Sequence, residues 1–167
     1  YQPQFDIQVD PPQLVSAEAL IRWRHPELGM IGPADFVPLF ERSGKIGEVD
    51  KYAWSMAARQ VARWRVEYGR VIPVSVNLSR VDVFDPNLCQ TLDGLLAKNG
   101  LTPKDLKLEV TESAYTDNEK LIISTVQTLR TLGLRVETRG LENIPKEGRF
   151  MLVCNHLDDS DPAVLLH

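Results

Sequence analysis

An α/β fold built on a parallel sheet is the fold class this sequence predicts, and three observations predict it. Short apolar segments with strand character alternate with longer segments of helical periodicity. Gly, Pro, Asn and Asp punctuate the joints between them. Strand segments also carry polar residues near their ends, where a packed core would want none.

The elements follow in chain order. Tyr1–Ile7 reads as a strand, Asp10-Pro11-Pro12 as a turn, and Leu14–Trp23 as a second strand. Gly32-Pro33 starts a short helix with Phe36, Val37, Leu39 and Phe40 as its apolar positions, and Gly44 ends it. Ile46–Tyr68 is a long amphipathic helix whose apolar stripe reads Ile46, Val49, Ala53, Met56, Ala57, Val61 and Trp64. Val71–Leu78 is a buried strand. Asp85-Pro86 caps a helix carrying Leu88, Leu92, Leu95 and Leu96, closed near Asn99-Gly100. Leu106–Val110 is the next strand. Thr116 and Glu119 have capping-box spacing ahead of a helix through Leu132, and Leu134–Thr138 is a short strand. This rhythm of strand, helix and strand is that of βα units in a parallel sheet.

After Thr138 the rhythm breaks. Gly140–Gly148 is a turn-rich linker, Phe150–Cys154 an apolar strand, and Asp161-Pro162 a helix start.

Composition narrows the function classes. A chain of 167 residues, 43% hydrophobic and 25% charged, fits one globular domain. Its net charge of −4 argues against broad nucleic-acid binding, which needs a basic face. Cys89 and Cys154 are far apart and lack CxxC spacing, so reduced thiols of a cytoplasmic protein are expected rather than a disulfide or zinc framework. No apolar run reaches the length of a membrane span. The first residue is Tyr1, inside an apparent strand, so a chain cut from a longer protein is expected.

The chemistry sits at the strand ends. Glu18 lies in Ala17–Trp23, Asn77 ends Val74–Ser79, Glu109 lies in Leu108–Ser113, and Gln2 lies in Tyr1-Gln2-Pro3. In a βα barrel such positions converge on one mouth. Two carboxylates and an amide oxygen make a hard, all-oxygen site suited to Mg²⁺ or Mn²⁺. One Glu in one strand is a weak signal, because such a residue is more often on a solvated face. Order and neighbours together are stronger.

Residues 1–137 resemble the EAL family of cyclic di-GMP phosphodiesterases, which are modified TIM barrels. The resemblance rests on Tyr1-Gln2-Pro3-Gln4, on Glu18-Ala19-Leu20 followed by Ile21-Arg22-Trp23-Arg24-His25-Pro26, on Phe36-Val37-Pro38-Leu39, on Val76-Asn77-Leu78-Ser79, and on Leu108-Glu109-Val110-Thr111-Glu112-Ser113. It implies a partial TIM-like (βα) barrel made of the first few βα units, with Phe150–Cys154 as an extra C-terminal strand. It implies Glu18, Asn77 and Glu109 as ligands of Mg²⁺ or Mn²⁺. Gln2, Leu20 and Arg22 would line the dinucleotide site, with Arg22 on a phosphate, and Glu112 would brace a loop near the metals.

The family pattern then stops. Where tandem aspartates of a DDFGTGYSS-like segment are expected, Leu134-Arg135-Val136-Glu137 runs into Thr138-Arg139-Gly140. The later catalytic Lys, the later Glu ligand and the later Gln have no counterpart. A two-metal hydrolysis needs both ions clamped around a bridging hydroxide, so a catalytically incomplete module is expected, with at most weak nucleotide or metal binding or a scaffold role. Asp158-Asp159 is a tandem pair in a different setting, of the kind usual in solvated loops.

Residues 138–167 read differently. His156 and Asp161 are spaced so that a carboxylate can orient an imidazole as general base, although Asp161 before Pro162 is equally a helix cap. Gly140–Gly148, the strand, and Asn155-His156 resemble the start of a glycerophosphate (lysophosphatidate) acyltransferase. That resemblance implies His156 and Asp161 as its catalytic pair, without the later blocks that bind the acceptor phosphate and the acyl chain. An acyltransferase fragment and a non-functional fusion or truncation product therefore stand as alternatives. An incomplete barrel leaves strand edges unpaired, which predicts self-association.

Overall fold

The computed structural model describes residues 1–110 and 119–138. Among these described residues, seven strands and five α-helices run in the order β1 (Gln2–Asp6), β2 (Gln13–Glu18), β3 (Trp23–His25), β4 (Gly29–Ile31), α1 (Pro33–Arg42), α2 (Ile46–Tyr68), β5 (Val74–Leu78), α3 (Arg80–Val83), α4 (Leu88–Lys98), β6 (Leu106–Val110), α5 (Glu119–Thr131) and β7 (Arg135–Thr138). The main sheet has the order β1-β2-β5-β6-β7. β1 is antiparallel to β2, and the pairs β2–β5, β5–β6 and β6–β7 are parallel. This is an α/β fold and a partial TIM-like barrel.

One face of the sheet is apolar and carries the core. Val74, Val76 and Leu78 of β5, Leu106, Leu108 and Val110 of β6, and Val136 of β7 are buried against the helices. Trp54, Ala57, Ala58 and Val61 of α2, Leu88, Leu92 and Leu96 of α4, and Ile122, Val126 and Leu129 of α5 complete that layer. Parallel strands need a long crossover between them, and these helices supply it. Gly69 closes α2 in the left-handed region at φ 67°, where a residue with a Cβ is strained.

Three departures from the sequence expectation have local causes. The second strand stops at Glu18 rather than running to Trp23, because Trp23–His25 turns away to pair with Gly29–Ile31 as a separate hairpin. The rings of Phe36 and Phe40 meet Trp23 edge-on at 6.1 and 6.2 Å, which holds that hairpin against α1. The buried stripe of α2 is rotated from the expected one: Ile46, Asp50, Trp54, Ala57, Ala58 and Val61 are buried, while Met56 is exposed. Finally, α3 intervenes after β5, and α4 begins at Leu88 behind Asn87 rather than behind Asp85. The expected Phe150–Cys154 strand and the Thr116 cap lie outside the described residues.

Candidate functional site

Strand register assembles the site. Side chains alternate across a strand, and directly paired residues share a face. Gln2 pairs with Glu18, and Glu18 with Ser75. Asn77 stands two residues beyond Ser75, pairs with Glu109, and Glu109 pairs with Glu137. Gln2, Glu18, Asn77, Glu109 and Glu137 therefore occupy one face of the sheet, opposite the face that carries the core. Glu18 ends β2, while Asn77 and Glu109 are the penultimate residues of β5 and β6. The sequence-predicted ligands thus lie on three adjacent strands at their C-terminal ends.

Register also sets levels within that face. Asn77, Glu109 and Glu137 form one row, and Ser75, Lys107 and Arg135 form the row beneath it. Glu18 belongs to the row of Ser75. Glu109 is 4% exposed and Asn77 is exposed. Two carboxylates and an amide oxygen suit a hard divalent ion in kind. Among the described residues, no three His, Cys, Asp or Glu side chains gather closely enough to hold an ion.

The second half of the site is a cavity of about 150 Å³ beside the strand ends. Leu20, Arg22, Asp50, Asn77 and Ser79 line it. Two predicted ligand-binding residues, Leu20 and Arg22, thus share a wall with Asn77, a predicted metal ligand. A wider cleft of about 510 Å³ adjoins at Arg22, flanked by Trp23, Arg24, Phe40 and Tyr52. Gln2 lines neither, and stands on β1 at the far side of Glu18. Glu112, His156 and Asp161 lie outside the described residues.

Sequence reasoning missed the residues that hold Asn77 in place. The Trp54 indole N–H donates to the Asn77 carbonyl at 2.9 Å. Just beyond Asn77, the Ser79 main-chain N–H and hydroxyl both donate to Asp82 Oδ2, at 3.1 and 2.6 Å. The spacing of Ser79 and Asp82 is a capping-box signal, and it was legible. Asp50 was the other omission. Burial, followed by the hydrogen bond and negative charge of Asp82, pushes its carboxyl up to about 8. Arg22 is the cation on the cavity wall, where it stands with Glu41 and a largely neutral Asp50, and its fork suits an anionic oxygen.

Comparison with known proteins bears on the same residues. The model of the EAL domain family matches residues 1–138. A cyclic di-GMP phosphodiesterase of Escherichia coli, PdeR, is 32% identical over 147 residues, covering 86% of this chain and 22% of that protein. An uncharacterized signaling protein of Caulobacter vibrioides is 34% identical over 119 residues, covering 71% of this chain and 14% of its own length. The chain thus spans less than a quarter of either relative. Among solved structures, the PaMucR phosphodiesterase in complex with c-di-GMP is 29% identical with a TM-score of 0.71, covering 77% of this chain and 53% of that one. The EAL domain of Xanthomonas citri FimX, also in complex with c-diGMP, is 20% identical with a TM-score of 0.64, over 73% of this chain and 48% of that one, a likeness of fold.

Proposed function

This chain belongs to the EAL domain family, and from that premise we propose that residues 1–137 form the first half of a cyclic di-GMP phosphodiesterase site that binds the dinucleotide weakly and does not hydrolyse it. One observation carries the reading: Leu20, Arg22 and Asn77 share the walls of one cavity at the C-terminal ends of the strands. Arg22 would pair with a phosphate, Leu20 would offer apolar surface, and Gln2 would approach from β1. PdeR, a relative with a phosphodiesterase name, and PaMucR, solved with c-di-GMP, support the choice of ligand.

Glu18, Asn77 and Glu109 would hold Mg²⁺ or Mn²⁺. In a complete two-metal site such ions turn a water into the attacking hydroxide. This chain's own residues fall short of that site. β7 ends in Val136-Glu137-Thr138 and is followed by Arg139-Gly140, so the tandem aspartates are missing from their expected place. Glu112 would steady the loop after β6. We place the module in the cytoplasm as part of a longer signalling protein, with domain boundaries at residues 137 and 138.

The test is equilibrium binding of labelled cyclic di-GMP to the whole chain, with Ca²⁺ as a non-reactive ion. The reading expects weak, saturable binding that Arg22→Ala abolishes. Binding unaffected by Arg22→Ala would reject the placement of the phosphate. Residues 138–167 add no activity in this account. His156→Ala is expected to leave dinucleotide binding unchanged, and lysophospholipid acylation lost with His156 or Asp161 would instead establish the acyltransferase alternative.

A further inference from the structure

The row of site residues ends on a residue that the family resemblance does not assign. Glu137 of β7 pairs directly with Glu109 of β6 and lies on its face of the sheet. Two carboxylates opposite one another on neighbouring strands repel, because their Cβ atoms stand about 5 Å apart. A compensating charge is present one row below. Lys107 is two residues before Glu109 on the same strand and face, and its Nζ lies 2.9 Å from Glu137 Oε1. The Lys107 side chain is only 16% exposed, against 52% for Glu137. The ammonium is therefore held within the face of the sheet rather than extended into solvent.

We propose that Lys107 is a cation built into this carboxylate row, holding Glu137 and weakening divalent-metal binding at Glu109 and Asn77. The inference rests on the reading of Glu18, Asn77 and Glu109 as metal ligands. Its physical basis is short range. Residues two apart on a strand are separated by about 6.5–7 Å. At that distance, a single positive charge opposes a doubly charged ion enough to weaken its binding about tenfold even at the dielectric of water, and the burial of Glu109 and Lys107 does not reduce that effect. The ion pair also keeps Glu137 turned toward Lys107, so it does not serve as an extra ligand beside Glu109. Arg135 pairs with Lys107 in the same row and adds positive charge to that face.

The experiment titrates the whole chain with Mn²⁺ alone and counts free Mn²⁺ by electron paramagnetic resonance. Wild type is compared with Lys107→Met, Lys107→Gln, Lys107→Arg and Glu109→Gln, each checked for native circular dichroism. Lys107→Met and Lys107→Gln are expected to bind Mn²⁺ about tenfold more tightly than wild type. Lys107→Arg, which keeps the charge, should match wild type, and Glu109→Gln should weaken binding. Two neutral variants guard against the misfolding of one. Equal Mn²⁺ affinity in wild type and the neutral variants, with loss in Glu109→Gln, overturns the role of Lys107 and leaves the ligand reading standing. Absence of Mn²⁺ binding in every protein overturns both.

Discussion

The indole N–H of Trp54 donates to the main-chain carbonyl oxygen of Asn77 across 2.9 Å. Trp54 is 1% exposed and lies mid-way along α2, while Asn77 opens onto the cavity at the end of β5. The core side of the sheet thus holds a residue of the site side. A carbonyl at the last turns of a buried strand needs a donor, and the indole supplies one that no aliphatic residue can. Replacing Trp54 by Phe keeps an aromatic ring and removes the donor. The expected cost is about 1–3 kcal/mol of stability, read from urea unfolding. Trp54→Ala, which also opens a cavity, should cost about 3–5 kcal/mol. Equal stability of wild type and Trp54→Phe would show that the hydrogen bond does not anchor Asn77.

The buried pair of Asp50 and Asp82 predicts a pH dependence with an unusual sign for carboxylates. The Asp50 carboxyl is raised from its ordinary value of 3.8 to about 8 by burial first and by Asp82 second. Between those values the folded chain retains a proton that the unfolded chain has released. The stability from this group is therefore fully present below about pH 4 and lost as the pH rises through about 8. Thermal unfolding should show Tm falling from pH 5 to pH 9, and Asp50→Asn should flatten that slope. Parallel slopes in the two proteins would remove Asp50 as the cause.

Self-association is expected from the ends of the sheet. Among the described elements, β1 and β7 terminate it. Near β1, Tyr1, Phe5 and Ile7 are 50%, 52% and 83% exposed. Unpaired strand edges beside apolar side chains favour pairing with a second chain. Light scattering should give a mass that rises with concentration, and Phe5→Lys with Ile7→Lys should suppress the rise. A constant monomer mass across a hundredfold range contradicts it.

Much of this architecture was legible, and the parts that were not have a common cause. β6 and α2 were bounded correctly as Leu106–Val110 and Ile46–Tyr68, because a short apolar run and a long 3.6-residue period are distinct signals. The placement of Glu18, Asn77 and Glu109 near the ends of their strands was legible from the polar residues in apolar segments and from the family motif. Periodicity failed where tertiary contacts override it. Asp50 is buried beside Asp82, so a reading that assigns polar residues to the outer face rotates the stripe of α2. Only four residues long, α3 offers too little period to detect. The segment after Glu18 is rich in apolar residues, which extend a strand on paper, but Trp23 takes its partners from α1 and from β4. Lys107 gave no signal, because its role depends on the register that brings β7 beside β6.

The central claim is that this half-site recognises a cyclic dinucleotide without cleaving it. Its most direct test is incubation of the whole chain with cyclic di-GMP and Mn²⁺, or Mg²⁺, followed by chromatography for the linear dinucleotide. The account predicts no linear product above the protein-free control, because Glu18, Asn77 and Glu109 alone cannot clamp the two ions that activate water. Metal-dependent formation of the linear dinucleotide that disappears in Glu18→Ala would contradict it.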